Sequence, residues 1–265
     1  MSVTVFPAPA TGGKTLKTDI ITSTQSWTAP AGVTTIELLL VGGGGGGGGT
    51  STTTGHGGGG GGGGGVIQDT LAVTPGTSYT VTIGAGGAAG SGASGPGGTG
   101  SSSSFGSLRT CFGGLGGWSS NNTYPSITSV SSGSGQGTNT PSYPAGAGGG
   151  ANPFATFNSG TTTIVWFGSN WGFKIKQGTP GYAASNSNVG IEGNYGVNGY
   201  GCGGGGGSYN GVPGGVNAGD GANQLGNATA PRANTGSGGG GAYMWSSAFA
   251  ASAGSAGIAI IKYWS

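Results

Sequence analysis

The sequence predicts an all-β protein with little or no α-helix. Short antiparallel β-strands at the two ends of the chain frame a packed bundle of glycine-rich polyproline-II helices. Three observations predict this class: strand-like alternation near both ends, long glycine runs between them, and no convincing helical period. Of 265 residues, 71 are glycine and 12 proline, a composition typical of disordered chains. The 6 Trp, 9 Tyr and 8 Phe exceed what a flexible linker carries.

The clearest strands lie near the N-terminus. "SWTAP" predicts a short strand, and "TTIELLLV", residues 34–41, predicts a strong one. Alternation places Ile36, Leu38 and Leu40 on one face of the sheet. Glu37 then lies on the opposite face, where an edge or solvent-facing position is a better interpretation than a catalytic acid.

The next apolar segments predict further strands. Residues 66–84, "VIQDTLAVTPGTSYTVTIG", predict a hairpin whose turn is supplied by Pro75 and Gly76. "SSSSFGSLRTCFGG" predicts a pair of short strands, and "AGIAIIKYWS" predicts a closing strand at the C-terminus. The best helix candidate, residues 242–254, has room for one or two turns between glycines.

The two longest glycine runs, residues 42–49 and 57–65, predict polyproline-II rungs. Glycine forms a poor helix and a poor isolated strand, and the Gly-X-Y period of collagen is missing. A polyproline-II helix has no internal hydrogen bonds, so buried rungs must bond to one another. "TSTTTGH", which ends at His56, is then an exposed turn between two rungs. Further rungs are predicted at three places: 145–153, 201–207 and 236–243.

The predicted organisation has two parts. Residues 1–26 form an extended N-terminal attachment segment, in which Pro7 and Pro9 disfavour helix. Residues 27–265 form the glycine-rich β/polyglycine domain. The N-terminus lacks a secretory signal, and no segment approaches the length of a membrane span.

Composition argues against catalysis and against charged partners. The chain has 5 acidic residues and one histidine, and no Cys/His cluster has metal-ligand spacing, so we expect no enzyme activity, no metal and no cofactor. A net charge of +2 predicts neither nucleic-acid binding nor membrane insertion. Two small buried thiols are the favoured interpretation of Cys111 and Cys202, although spacing leaves a disulfide open.

Three stretches in order, "SWTAPAGVTTIELLLVGGGGGGGG", "LAVTPGTSYTVTIGAGGAAG" and "GSAGIAIIKYW", carry a family resemblance. The chain resembles the glycine-rich domain of bacteriophage tail-fibre and related virion proteins, and is similar to the polyglycine-helix adhesins at tail-fibre tips. The resemblance implies a virion (phage tail) location after synthesis in the host cytoplasm. It also implies a bacterial surface receptor, a polysaccharide or an outer-membrane protein, and contacts with other virion tail proteins through the N-terminal segment. The N-terminus does not match the attachment domain of the tip adhesins.

The candidate receptor-binding residues are aromatics among small polar neighbours, a combination typical of binding loops. The "FGSN" turn with its flanking tryptophans ranks first: Trp166, Phe167, Asn170 and Trp171. The remaining candidates are spread along the glycine-rich middle of the chain: Trp118, Tyr124, Tyr195, Tyr200, Tyr209 and Trp245. Each aromatic could instead pack against the glycine layers, and packing is favoured for the aromatics of the predicted strands: Trp27, Tyr79, Tyr263 and Trp264.

Two other functions remain open on the sequence. A purely structural virion component, such as a fibre cap, baseplate or decoration protein, would dock through residues 1–26 and bind no host. An ice-binding protein is a more distant alternative, because regular Gly-x-x repeats and a secretory signal are missing. The sequence shows neither heptads nor a triple-β repeat, so it predicts no particular oligomeric state.

Overall fold

A computed structural model describes residues 13–50, 56–92, 95–119, 199–208, 210–211, 213–244 and 246–265. Across these residues there are ten β-strands and no α-helix. The strands are β1 (Leu16–Ile21), β2 (Gln25–Thr28), β3 (Thr35–Val41), β4 (Val66–Ala72), β5 (Ser78–Thr82), β6 (Ser103–Phe105), β7 (Arg109–Cys111), β8 (Tyr243–Met244), β9 (Ala248–Phe249) and β10 (Ile258–Trp264).

The strands form two four-stranded antiparallel sheets and one short hairpin. The first sheet has the order β1-β10-β3-β4, so it joins the two ends of the chain. The second has the order β2-β5-β6-β7, and β8 pairs with β9. The predicted all-β class, with antiparallel strands at both ends of the chain and little helix, is confirmed.

One hydrophobic core lies between the two four-stranded sheets. The alternation predicted for β3 is confirmed, because Ile36, Leu38 and Leu40 are all buried in this core. β10 contributes Ala259 and Ile261 from its alternate positions. The second sheet contributes large side chains to the same cluster: Trp27, Val81 and Phe105.

Trp27 connects the sheets through both packing and a polar contact. Its ring centroid lies 5.9 Å from that of Phe105, in its own sheet, and 5.9 Å from that of Tyr263, in the other. Its indole N–H donates to Oδ2 of Asp19 on β1 at 2.8 Å. A buried tryptophan thus keeps its one donor satisfied, as such residues require.

Two local predictions are wrong. β4 and β5 do not pair as a hairpin, because β4 joins the first sheet and β5 the second. The turn chemistry between them is nevertheless as expected, since Gly76 has φ of 77° and the Thr77 amide donates to the Thr74 carbonyl. The helix candidate at 242–254 instead contains the hairpin β8–β9 and the start of an extended segment.

The glycine run 42–49 lies at the centre of a hydrogen-bonded bundle. All eight amides donate to other segments at 2.8–3.0 Å, and the partner segment repeats every third residue. All eight glycines have negative φ. A three-residue period is what a helix with three residues per turn produces, so we interpret this rung as a left-handed polyproline-II helix.

Six segments surround this central rung. Three run antiparallel to it and accept its amide hydrogen bonds: 57–65, 95–101 and 252–255. Three run parallel to it and donate to its carbonyls: 87–90, 114–117 and 239–242. The eight amides of the central rung and the carbonyls of residues 43–48 are therefore satisfied by neighbours on all sides, as burial demands.

The surrounding packing requires glycine throughout the central rung. A Cβ added at any position from 42 to 49 would meet a neighbouring backbone atom at 1.9–2.6 Å, closer than any real contact. The outer rung 112–118 carries side chains at one position in three. In "FGGLGGW" the glycines face neighbouring rungs, while Phe112, Leu115 and Trp118 recur at that spacing.

The predicted rungs at 201–207 and 236–243 lie within hydrogen-bonded segments of the same bundle. The predicted rung at 145–153 lies outside the described residues. The structure contains further rungs that were not predicted, and these carry other residue types among their glycines: 84–90, 95–101, 112–118 and 252–257.

Candidate contact surface at the distal end of the glycine bundle

The rungs are continuous with the strands, which gives the bundle two different ends. β3, β5 and β7 each run directly into a rung, and β4, β6 and β10 each follow one. We call the two packed four-stranded sheets the sandwich. Their junction with the bundle is the sandwich end, and the opposite end of the bundle is the distal end. At the distal end the chain reverses without entering a sheet of the sandwich. The described parts of these distal connections are Thr50, 90–92, Ser208, 210–211, 223–226 and 243–249 with position 245 omitted.

A side-chain hydrogen bond closes the turn predicted between the two longest glycine runs, and β8 pairs with the C-terminal end of this turn. Thr50 Oγ1 donates to the carbonyl of His56 at 2.7 Å, and the Met244 amide donates to the same carbonyl at 2.9 Å. Gly57 forms a β-bridge with Tyr243. The loop end is therefore tied to β8 by the backbone.

His56 is buried, with 8 % of its surface exposed, so the prediction that it lies in an exposed turn is wrong. Thr50, at the other end of the same turn, is also buried. Position 56 is covered because β8 crosses the end of the rung there, a tertiary contact that the glycine-rich flanks do not predict. Residues 51–55 lie outside the described residues.

Of the predicted contact residues that the structure describes, Trp118 lies at the distal end. It ends the rung 112–118, where its carbonyl accepts a hydrogen bond from Gly59 at 2.8 Å. Its side chain is half-buried. Phe112, at the sandwich end of the same rung, is more open, with 62 % of its surface exposed.

Tyr200 lies away from Trp118. It is half-buried and packs against Val41, Val66 and Ile258, where the first sheet meets the bundle. The structure therefore places these two candidates at opposite ends of the bundle. The other candidates lie outside the described residues: Tyr124, Trp166, Phe167, Asn170, Trp171, Tyr195, Tyr209 and Trp245.

Among the aromatics expected to pack, three lie in the sandwich core or against it: Trp27, Tyr79 and Tyr263. Trp264 differs, because 57 % of its surface is exposed on β10. Burial, and then the hydrogen bond to Asp19, raise the pKa of the Tyr263 hydroxyl. This hydroxyl donates to the same Asp19 carboxylate that accepts from Trp27.

Leu225, which is not among the predicted contact residues, is 85 % exposed in the distal turn 223–226. The sequence feature that could have indicated this exposure is an isolated aliphatic residue between two small, polar stretches, "GANQ" and "GNAT". For Phe112 the signal was the three-residue spacing of large side chains in "FGGLGGW". Exposed apolar side chains on rigid supports can contribute contact area to a partner.

Among the described residues, no three His, Cys, Asp or Glu side chains lie close enough together to hold a metal ion. Cys111 and Cys202 are both buried as thiols, in line with the favoured interpretation. Burial raises the pKa of the Cys111 thiol to about 12, which keeps it protonated and a poor nucleophile.

In the described part of the chain, no helix has the length and apolar character needed to cross a bilayer. The sequence matches no curated protein. A family of glycine-rich domains matches residues 19–264, which include the second sheet, all the described rungs and the first sheet apart from the first three residues of β1. The chain therefore belongs to the glycine-rich domain family.

Proposed function

We propose that this protein is a receptor-binding protein of a bacteriophage tail fibre, and that its distal end contacts the bacterial surface. The observation that supports the proposal is the common position of the connecting segments at the end of the bundle opposite the sandwich. Its receptor is a surface polysaccharide or an outer-membrane protein, and its place is the virion tail. Its role is binding without catalysis.

The architecture suits such a role because the scaffold and the loops have separate requirements. Each central rung position needs glycine, since any Cβ there would collide with a neighbouring backbone. Loops beyond the rungs are free of that packing and can change sequence while the rungs stay the same. A rigid support also reduces the ordering cost of binding.

Trp118 and Phe112 provide a matched test of the distal end. Both are aromatic and both lie on the rung 112–118, one at the distal end and one at the sandwich end. The labelled protein would be incubated with strains that adsorb the parent phage and strains that do not. We expect binding to the adsorbing strains, and a loss of about 10- to 30-fold in affinity for Trp118→Ala, as for an interface hot spot.

Phe112→Ala is the control and should bind as the unaltered protein does. Melting curves of both variants would show that the fold is retained. Equal failure of the folded protein on both groups of strains contradicts receptor binding. If the folded protein bound neither group of strains but remained attached to phage tails, the structural-component alternative would replace the proposal.

The segment "FGSN", predicted from the sequence to form a turn, can be tested with the same cells. Trp166→Ala and Trp171→Ala should each lower binding without changing the melting temperature. If these two variants lose affinity while Trp118→Ala does not, the receptor contact would lie on that turn. Host binding would then stand, but the assignment of Trp118 would be wrong.

A further inference from the structure

Among the strands that the structure describes, β1 is an edge strand with no partner on its outer side. It pairs with β10 on one side and ends the order of the first sheet. Just before β1, Thr15 and Ser265 exchange both backbone hydrogen bonds, at 2.8 and 3.1 Å. Because antiparallel pairs alternate, Lys17 and Asp19 direct their backbone groups to β10. The amides and carbonyls of Leu16, Thr18 and Ile20 therefore point away from the sheet.

The same three residues lie on the outer face of the first sheet, and this face is apolar at the edge. Leu16 is 50 % exposed and Ile20 is 63 % exposed. Trp264, paired directly with Leu16, is 57 % exposed. An open edge bordered by exposed apolar side chains is a template for adding another strand.

We propose that β1 pairs with β1 of a second copy of this chain, antiparallel and centred on Thr18. This register sets Thr18 opposite Thr18 of the partner subunit, and Leu16 opposite Ile20 of the partner subunit. Leu16, Thr18 and Ile20, whose backbone groups point outward, lie opposite one another in this register, so the strands can exchange hydrogen bonds along the whole overlap. The apolar side chains meet on one face.

Charge selects this register from its neighbours. With Thr18 at the centre, Lys17 lies opposite Asp19 of the partner subunit. Shifting the register by two residues in one direction sets Lys17 opposite its own copy, and shifting it in the other direction does the same for Asp19. Like charges directly opposite each other are unfavourable in a sheet. A lysine at an edge discourages pairing on its own, but here the partner supplies the opposite charge.

The resulting dimer has a two-fold axis through Thr18 and one continuous eight-stranded sheet, four strands from each copy. Its outer face carries an apolar row that crosses the interface from Ile260 and Ile20 of one copy to Leu16 and Trp264 of the other. The dimer does not depend on the proposed receptor-binding function, since β1 lies in the sandwich and the proposed contact surface is at the distal end.

Cross-linking of the full-length protein tests the register. In an outward hydrogen-bonded pair the Cα atoms lie about 5.5 Å apart, within the range of a disulfide. Thr18→Cys should form an interchain disulfide under mild oxidation. Leu16→Cys on its own should not, but an equimolar mixture of Leu16→Cys and Ile20→Cys should. Cross-linking of Leu16→Cys at the rate of Thr18→Cys contradicts the register.

Sedimentation equilibrium tests the dimer itself. The unaltered chain should show a concentration-dependent dimer, and Thr18→Pro should remain monomeric, because it loses only an amide that points outward. Lys17→Asp should also be monomeric, because its carboxylate would lie opposite Asp19 of the partner subunit. A chain that is monomeric at every concentration, or a dimer that survives both Thr18→Pro and Lys17→Asp, overturns the proposal. If Thr18→Pro fails to fold, Lys17→Asp decides.

Discussion

Gly45 donates its amide hydrogen bond to the carbonyl of Gly62 at 2.8 Å, and this contact joins the two longest glycine runs of the chain. The runs are antiparallel neighbours in one bundle. What looks like flexible sequence is therefore a framework whose hydrogen bonds lie between segments. This relationship makes the glycines of the central rung as specific as the residues of a hydrophobic core.

A single methyl group in the central rung should destabilise the protein strongly. In Gly46→Ala the new Cβ would lie 1.9 Å from the carbonyl oxygen of Ala88, and a neighbouring rung would have to move. We expect a loss of at least about 3 kcal/mol in the free energy of unfolding, at the upper end of overpacking effects. Urea denaturation measures this loss.

Gly226→Ala is the matched control, because a Cβ at position 226 meets nothing within 4 Å. It should change the free energy of unfolding by less than about 0.5 kcal/mol. Equal denaturation midpoints for Gly46→Ala and the unaltered chain would show that the rungs are not packed as described.

Ser103 connects the sandwich to the bundle, and its removal should be costly. Its buried hydroxyl donates to the Val41 carbonyl at 2.6 Å and accepts from the Gly84 amide at 2.9 Å. Ser103→Ala leaves both backbone groups without this partner, which costs about 1–3 kcal/mol. Thermal melting should show a clear decrease, while the exposed neighbour Ser102→Ala should leave the melting temperature nearly unchanged. Similar melting of the two variants would contradict this role of Ser103.

The ion pair between Arg109 and Asp69 should contribute little to stability. It joins β7 to β4 at the edges of the two sheets, with an Nε to Oδ2 distance of 2.7 Å. Both side chains are partly exposed, so water and salt screen the attraction. We expect Arg109→Ala to cost about 0–1 kcal/mol, and less in high salt. A large loss that persists in high salt would assign Arg109 a packing role instead.

Cys111 should be unreactive while the protein is folded. Burial raises its pKa from 9.0 to about 12, so the fold favours the protonated thiol. Its contribution to stability is therefore complete below pH 9 and is lost as the pH rises from 9 towards 12. A thiol reagent at pH 8 should modify Cys111 only after denaturation, as followed by peptide mass spectrometry. Rapid modification of the native protein would contradict its burial.

The strands were predictable because their patterns are local. The alternation of Ile36, Leu38 and Leu40 identifies β3, and its buried face follows directly. Pro75 and Gly76 identify a turn equally well, but turn chemistry does not say which strand each side will pair with. The two strands flanking this turn enter different sheets, a choice made by the shared core.

The sequence predicted a bundle of glycine rungs but identified only some of the rungs. Uninterrupted glycine runs identify rungs that are enclosed on all sides. Outer rungs keep side chains at one or two positions in three, so "FGGLGGW" and "SAGSAG" look like ordinary loops. Their three-residue spacing is the signal that distinguishes them. The burial of His56 could not be read from its neighbours, because it depends on β8, nearly 190 residues later in the chain.

Amide hydrogen exchange of residues 42–49 tests the central claim most directly. All eight amides donate hydrogen bonds to surrounding rungs, so they should open only when the bundle opens. The account predicts protection of this glycine run comparable to that of β3, which precedes it. Exchange of residues 42–49 at the rate of an unfolded chain, while β3 stays protected, would contradict it.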